Sequence, residues 1–298
     1  MQPSPASPPK REIFKNGEEQ ALFDQFGYVT REFLSSGEIE ELNQLFDETV
    51  RNGHETYEHF RHLRYYISVF DKDTEKRREV DHTVKRIFRD KIDQFMLNYR
   101  ILICNFMAKE PKGNGEIQVH QDFTFVDEDR FVGFNLWVPL RDTDLNNGCF
   151  YMLPGSNKLL RSYRASSIPD TLVQYNDRLK RYMIPKPLKA GHGIAFDHKL
   201  FHYSPNNNSE EWRPAVQLVL VPSEAQEITL HYDRNRDPNH LVVYKVDTDY
   251  LTGGNLWQPP DGLEASGKKP YIPLPKEEEL ILMVEELRDK ESDVTLIQ

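Results

Sequence analysis

Four side chains carry the chemistry this sequence can do: His120, Asp122, His202 and Arg213. His120 and Asp122 flank Gln121 in a His-Gln-Asp triplet. On a strand successive side chains alternate, so residues i and i+2 share a face and can bind one metal ion together. His202 follows Asp122 by eighty residues and Arg213 follows His202 by eleven. Two imidazoles and one carboxylate occupy one face of an octahedral ion and leave three positions open, a donor set suited to non-heme Fe(II) that takes up a co-substrate and O2. The planar guanidinium of Arg213 then suits a carboxylate, to which it offers two parallel charged hydrogen bonds.

A His-x-Asp triplet alone is weak evidence, and the chain holds a second one, His231-Tyr232-Asp233. That triplet has only His240 as a later histidine and no arginine eleven residues beyond it. It reads as a surface turn beside Arg234 and Arg236. His192 and His198 flank His202 without its offset to Arg213, and are expected at strand ends or behind the ligands. The basic and aromatic run His54, His59, Arg61, His62, Arg64, Tyr65 and Tyr66 reads as a solvated helix face or a substrate wall. Arg161, Arg164, Arg178 and Arg181 read as lid surface, with an anion clamp as the alternative.

The stretches MAKEPKGNGEIQVHQDF, NLWVPLRDTDLNNGCFYMLPGSNK and GHGIAFDHKLFHYSPNNNSEEWRPA resemble the phytanoyl-CoA dioxygenase family of Fe(II)- and 2-oxoglutarate-dependent oxygenases. The ordered motifs are Lys109, Pro111 and Gly113; His120, Gln121 and Asp122; Trp137; Asn147 and Gly148; Pro154, Gly155 and Ser156; and His202, Ser204 and Arg213. With the opening FGYVTREFLSSGEIEELNQLF, the similarity runs roughly from Phe23 to Pro222. Gly191-His192-Gly193 and Asn157 depart from the family pattern, and neither touches a ligand position.

The resemblance implies Fe(II) held by His120, Asp122 and His202, with 2-oxoglutarate filling two open positions and O2 the third. It implies that Arg213 holds the far carboxylate of 2-oxoglutarate, assisted by Ser204, while Trp137, Gln121 and Asn135 line the co-substrate. Succinate and CO2 would leave as a C–H bond of a small molecule is oxidised, with ascorbate as a stimulant of turnover. Because Asp122 fills the position that related halogenases leave small, hydroxylation is expected over halogenation. Two other readings stay open: a metal-dependent isomerase or lyase of the cupin type, and a non-enzymatic binding module on the same fold.

These residues need a scaffold, and composition bounds it. At 298 residues the chain is long enough to bury a core as one unit, and its two cysteines, Cys104 and Cys149, are too few for a disulfide framework. A cytoplasmic, reducing setting is the expectation. The 48 acidic residues outnumber the 38 basic ones, which disfavours nucleic acid as a partner. No apolar run suits a membrane span, so a small-molecule substrate and a monomer or homodimer are expected.

Residues 1–12 read as a disordered, proline-rich leader and 13–298 as a single domain. Ser35 with Glu38 forms a capping box ahead of Ile39, Leu42, Phe46 and Val50 at helical spacing. A second helical period covers Val84 to Met96. Strand candidates follow at about 100–108, 115–123, 131–140, 148–153, 193–197 and 213–221. The pattern predicts a mainly β fold: a double-stranded β-helix (jelly-roll, cupin-like) core over about 100–222, with N-terminal helices packed on one sheet. In one strand Val132, Phe134, Leu136 and Val138 form the helix-facing side, and Asn135 and Trp137 the other. In another, Val216, Leu218 and Leu220 pack while Arg213, Ala215 and Gln217 face the site. Residues 157–192 read as a lid, and 223–298 as an extension closing with a helix around Leu280 to Leu287.

Overall fold

The computed structural model describes residues 11–51, 64–169, 171–253 and 258–292. Most of the expected leader, and His54, His59, Arg61 and His62, lie outside them. In chain order the elements are α1 (Gly17–Phe26), β1 (Tyr28–Glu32), α2 (Ser36–Phe46), β2 (Tyr65–Ile67), α3 (Thr74–Phe95), β3 (Tyr99–Lys109), β4 (Ile117–His120), β5 (Phe134–Pro139) and β6 (Phe150–Met152). There follow α4 (Asn176–Leu179), β7 (Ile184–Lys186), β8 (His192–Asp197), β9 (His202–Ser204), β10 (Arg213–Pro222), β11 (Ile228–His231), β12 (His240–Lys245), α5 (Thr248–Gly253), β13 (Gly267–Pro270) and α6 (Glu277–Ser292).

The larger sheet runs β1-β8-β5-β10-β3-β2, antiparallel throughout, and the alternation of its strands divides their side chains between two environments. Phe134, Leu136 and Val138 of β5 and Val216, Leu218 and Leu220 of β10 pack under the N-terminal helices. Val80, Val84, Phe88 and Ile92 of α3 and Leu42 and Phe46 of α2 complete that layer, every one of them buried. The other face carries Asn105, Asn135, Trp137, Arg213 and Gln217 toward the site, as the period-two pattern requires.

Local sequence explains the helices that cover this sheet. At α2 the Ser35 side chain accepts from the Glu38 backbone N–H, and the Glu38 carboxylate accepts from that of Ser35, closing the expected capping box. α3 starts ten residues before Val84, because Asp73 caps the backbone N–H groups of Glu75 and Lys76. Its first turns are too polar to show an apolar period.

The smaller sheet, β4-β9-β6-β7, supplies the opposite wall of the site. Its outer face is not open to solvent. Val119 and Phe201 pack there with Leu172, Leu179 and Met183 from residues 157–192 and with Leu280, Ile281 and Val284 of α6. The segment expected as a lid borders the site, but it is anchored between this sheet and the C-terminal helix. A third sheet, β11-β12-β13, lies in the region read only as an extension. Among the described residues, no helix is long and apolar enough to cross a membrane. Both cysteines are free and buried, as their apolar settings imply.

Candidate metal centre

The antiparallel register of β4 and β9 sets His120 directly opposite His202, with ring centroids 4.1 Å apart. Asp122 lies just past the end of β4 rather than on it. The chain leaves the sheet after His120, and the Asp122 backbone N–H donates to the His198 carbonyl at 2.8 Å, which turns the carboxylate back beneath the two rings. Its oxygens stand 3.8 Å from His120 Nε2 and 3.6 Å from His202 Nε2. One donor atom from each of the three lies within 4.8 Å of the others, spacing that fits a single ion.

The surroundings aim these donors. His120 Nδ1 lies 2.7 Å from the Gln118 carbonyl and His202 Nδ1 2.9 Å from the Leu200 carbonyl. A carbonyl can only accept, so each ring carries its proton on Nδ1 and turns an Nε2 lone pair to the centre. Phe150 stacks on the His202 ring at 5.1 Å and Phe196 meets it edge-on. Burial, reinforced by the neighbouring His120, pushes His202 down to about 4, which keeps the imidazole neutral for ligation. Burial alone would raise the Asp122 carboxyl. The flanking His202 and His120 and a 2.7 Å hydrogen bond from Asn135 Nδ2 outweigh it and hold Asp122 below the usual carboxylate range.

Beside this triad a cavity is lined by Trp137, Phe150, Ser204, Lys109 and Arg213. Arg213 is 3% exposed, and neither its Nε nor its Nη1 has a hydrogen-bond partner. Trp137 packs against the guanidinium, 5.2 Å from ring centroid to Cζ, and burial pushes the Arg213 pKa down to about 10. A buried cation with unsatisfied donors is costly, and an anion entering this cavity would satisfy them. Lys109 is the neighbouring cation. It already donates to the carbonyls of Gly115, Ser204 and Pro205, so Arg213 is the cation of this cavity with donors to spare. Gly148 sits at φ +79°, where a Cβ would come within 2.7 Å of the Pro205 carbonyl oxygen, so this turn requires glycine.

The other residues singled out take different places. The Ser204 hydroxyl lines the cavity but gives its proton to the Gly148 carbonyl. Asn135 spends its amide N–H on Asp122, and its carbonyl oxygen lies 3.2 Å from His198 Nε2, so it orients a ligand. The Gln121 amide donates to the Lys199 carbonyl, and Gln121 is not among the residues lining the Arg213 cavity. His198 is fully buried behind the ligands, and burial holds its pKa down.

At the second triplet, Asp233 accepts from the backbone N–H groups of Asn235 and Arg236, making the turn expected there. Tyr65 borders the site from a strand, not from a helix face, while Tyr66 is in the core with its hydroxyl on Asp71. Arg164 is not lid surface. Its guanidinium forms a paired ion contact with Glu128, and its Nε donates to the Asp122 carbonyl at 2.8 Å. No spacing rule in the sequence pointed to that brace, since the partners lie 36 residues apart.

A sequence model described as Phytanoyl-CoA dioxygenase (PhyH) matches residues 23–215. Over 134 residues the chain is 33% identical to "Phytanoyl-CoA dioxygenase" of Arabidopsis thaliana, covering 43% of this chain and 47% of that protein. It is 27% identical over 139 residues to "Phytanoyl-CoA dioxygenase domain-containing protein 1" of Danio rerio, with the same coverage. The chain thus spans about half the length of the curated relatives it matches.

Among solved structures it is similar to the "non-heme alpha ketoglutarate dependent carbocyclase SnoK", with TM-score 0.54 and 21% identity over 71% of this chain and 86% of that one. It is also similar to the epimerase SnoN "in complex with Fe3+, alpha ketoglutarate and nogalamycin RO", at TM-score 0.51 and 18% identity over 87% and 95%. At such identities these likenesses establish the fold, a double-stranded β-helix. Because the sequence match extends over most of the chain and takes in β1 through the start of β10, the chain belongs to the phytanoyl-CoA dioxygenase family.

Proposed function

We propose that this protein is an Fe(II)- and 2-oxoglutarate-dependent oxygenase acting on a small molecule, with His120, Asp122 and His202 as metal ligands and Arg213 as the anchor for the far carboxylate of 2-oxoglutarate. The observation that carries this reading is the pairing of two Nδ1-anchored imidazoles and a carboxylate with a buried arginine that has unpaired N–H groups in the adjoining cavity. An isomerase or lyase of the cupin type would leave that arginine with no task. A binding module would have no need of the oriented Nε2 lone pairs.

When bound, iron would supply the coupled oxidation by O2 of 2-oxoglutarate, to succinate and CO2, and of a substrate C–H bond. The chain's part is positioning. The carbonyls of Gln118 and Leu200 fix both ring tautomers, Asn135 fixes one Asp122 oxygen, and Trp137 and Phe150 give the Arg213 cavity an apolar wall. Arg213 meets a distal carboxylate with donors that are already desolvated, so little reorganisation accompanies binding. Asp122 fills the third ligand position, which favours oxygen insertion over halide transfer.

Anaerobic titration of 2-oxoglutarate into the Fe(II) protein should give a visible charge-transfer band. With O2 the loaded protein should form succinate, faster when a substrate from a small-molecule screen is present. Mass spectrometry then reads the outcome: gain of one oxygen for hydroxylation, loss of two hydrogens for desaturation or ring closure, no change for epimerisation. Asp122→Ala should abolish both the band and succinate formation, and unchanged turnover in that variant would remove this site from consideration.

A further inference from the structure

Two cavities meet at the triad, and their walls differ. The one ending on Arg213 holds buried cations. The other, about 890 Å³ of space open to solvent, extends from His120 and Asp122 along the inner faces of β3 and β10. No lysine or arginine is among its described lining residues, and Asp122 is the only carboxylate there. Arg64, next to Tyr65 in the chain, is paired with Glu110, and Lys112 with Glu210. Among the described lining residues an anionic substrate in this cavity would meet no lysine or arginine as a counter-ion.

Four rings, Tyr65, Phe70, Phe123 and Phe125, make up much of the apolar wall. Such flat surfaces favour stacked or edge-on contact with another ring. One polar group in the floor is unanswered. Along β3 the alternation packs Cys104 and Phe106 under the helices and sends Ile103, Asn105 and Met107 into the cavity. Asn105 is 4% exposed, and its Oδ1 accepts no hydrogen bond. Asn135, the other asparagine of this wall, is committed to Asp122. A buried acceptor left unpaired is destabilising, and a ligand O–H or N–H at this spot would satisfy it.

We propose that this second cavity takes an uncharged, mainly apolar ring compound that donates a hydrogen bond from a hydroxyl or amide to Asn105, rather than an acyl-CoA or another polyanion. This rests on the reading above, in which the cavity beside the metal is the substrate's place.

The test is isothermal titration calorimetry on the full chain with four probes: 2-naphthol, 2-methoxynaphthalene, naphthalene-2-sulfonate and octanoyl-CoA. With Mn(II) and 2-oxoglutarate bound, 2-naphthol should bind about tenfold tighter than its methyl ether, which lacks the donor, and the two anions should bind more weakly than either. Asn105→Leu should reduce the naphthol-to-ether gap to within about twofold. Asn105→Ala gives the same readout should the leucine variant not fold. Octanoyl-CoA or the sulfonate binding as tightly as 2-naphthol in the wild type would overturn the proposal, as would a gap that survives removal of the Asn105 amide.

The two readings fail separately. If 2-oxoglutarate does not bind the Mn(II) protein, the oxygenase reading falls, and the same probe comparison on the metal-free protein still decides the cavity's ligand. If 2-oxoglutarate binds and the naphthol preference is absent, the cavity proposal alone falls.

Discussion

Arg213 and Asn135 show how single side chains divide the labour of this site. Arg213 is desolvated with two donors unpaired, so its energy is available to whatever anion enters. Arg213→Leu should weaken 2-oxoglutarate binding by roughly 30-fold or more, on the scale of about 2–5 kcal/mol for truncating a buried charged partner. Metal affinity should change little; calorimetry with each ligand separates the two, and equal losses in both would count against the anchor role. Asn135 acts through Asp122, which it holds at 2.7 Å. Asn135→Leu should cost metal affinity about 10–100-fold, the usual effect of removing a group that orients a ligand. Chelator competition measures it. The triad and arginine were legible because their residue types and offsets recur as an ordered pattern, although Asp122 reaches the centre through a turn after β4 and not by strand alternation. The partners of Asn135 and Ser204 were not, because alternation tells which face a side chain takes and not which atom it meets there.

Between elements, the site depends on a buried brace. The segment after β4 carries Asp122 with little sheet to hold it, and Arg164 closes it by reaching the Asp122 carbonyl while paired with Glu128. Burial would raise the Glu128 carboxyl, but the Arg164 charge and its hydrogen bonds prevail and hold it below its ordinary value of 4.5. A depressed folded pKa means that the unfolded chain takes up the proton first as pH falls. The stabilisation is therefore complete above about pH 4.5 and drains away as pH drops through the folded value. Glu128→Gln should flatten the fall in denaturation midpoint between about pH 5 and pH 3 relative to wild type; parallel curves would show that the pair does not govern it. Arg164→Met should destabilise by about 3–5 kcal/mol by stranding Glu128, and Arg164→Met with Glu128→Leu should recover most of that. Metal affinity should stay low in both, since the contact to the Asp122 carbonyl is gone. The longer strands β3, β5, β8 and β10 were visible as alternating or apolar runs. By contrast β2, β7 and β9 have three residues each, too few for a period to show.

Two of the three sheets among the described residues enclose the site, each backed by its own apolar layer, and the site's residues, though not its three candidate metal ligands, are shared between them. Helices α1 to α3 back the larger sheet, which carries Arg213 and Asn135; the capping box and apolar spacing foretold α2 and the later turns of α3, but not α1. The smaller sheet carries both histidines, and its outer layer comes from residues 157–192 and α6, far apart in the chain. Neither could be assigned to that sheet from sequence, because a helical period fixes a face and leaves its partner open. The C-terminal helix is therefore part of the site's support rather than an appendage. Leu280 is fully buried in this layer with Leu179 and Val119, one residue before His120. Leu280→Ala should lower stability by about 2–5 kcal/mol, the range for emptying a packed leucine site. Hydrogen exchange should quicken in β4, β9 and residues 172–186 while α3 and β3 stay protected, because the two layers do not share this contact. Metal affinity should fall with it, as the backbone carbonyls of Gln118 and Leu200 that set the ring tautomers belong to the loosened half. Uniform loss of protection across both layers would mean that the molecule opens as one unit and that α6 supports the metal centre only through global stability.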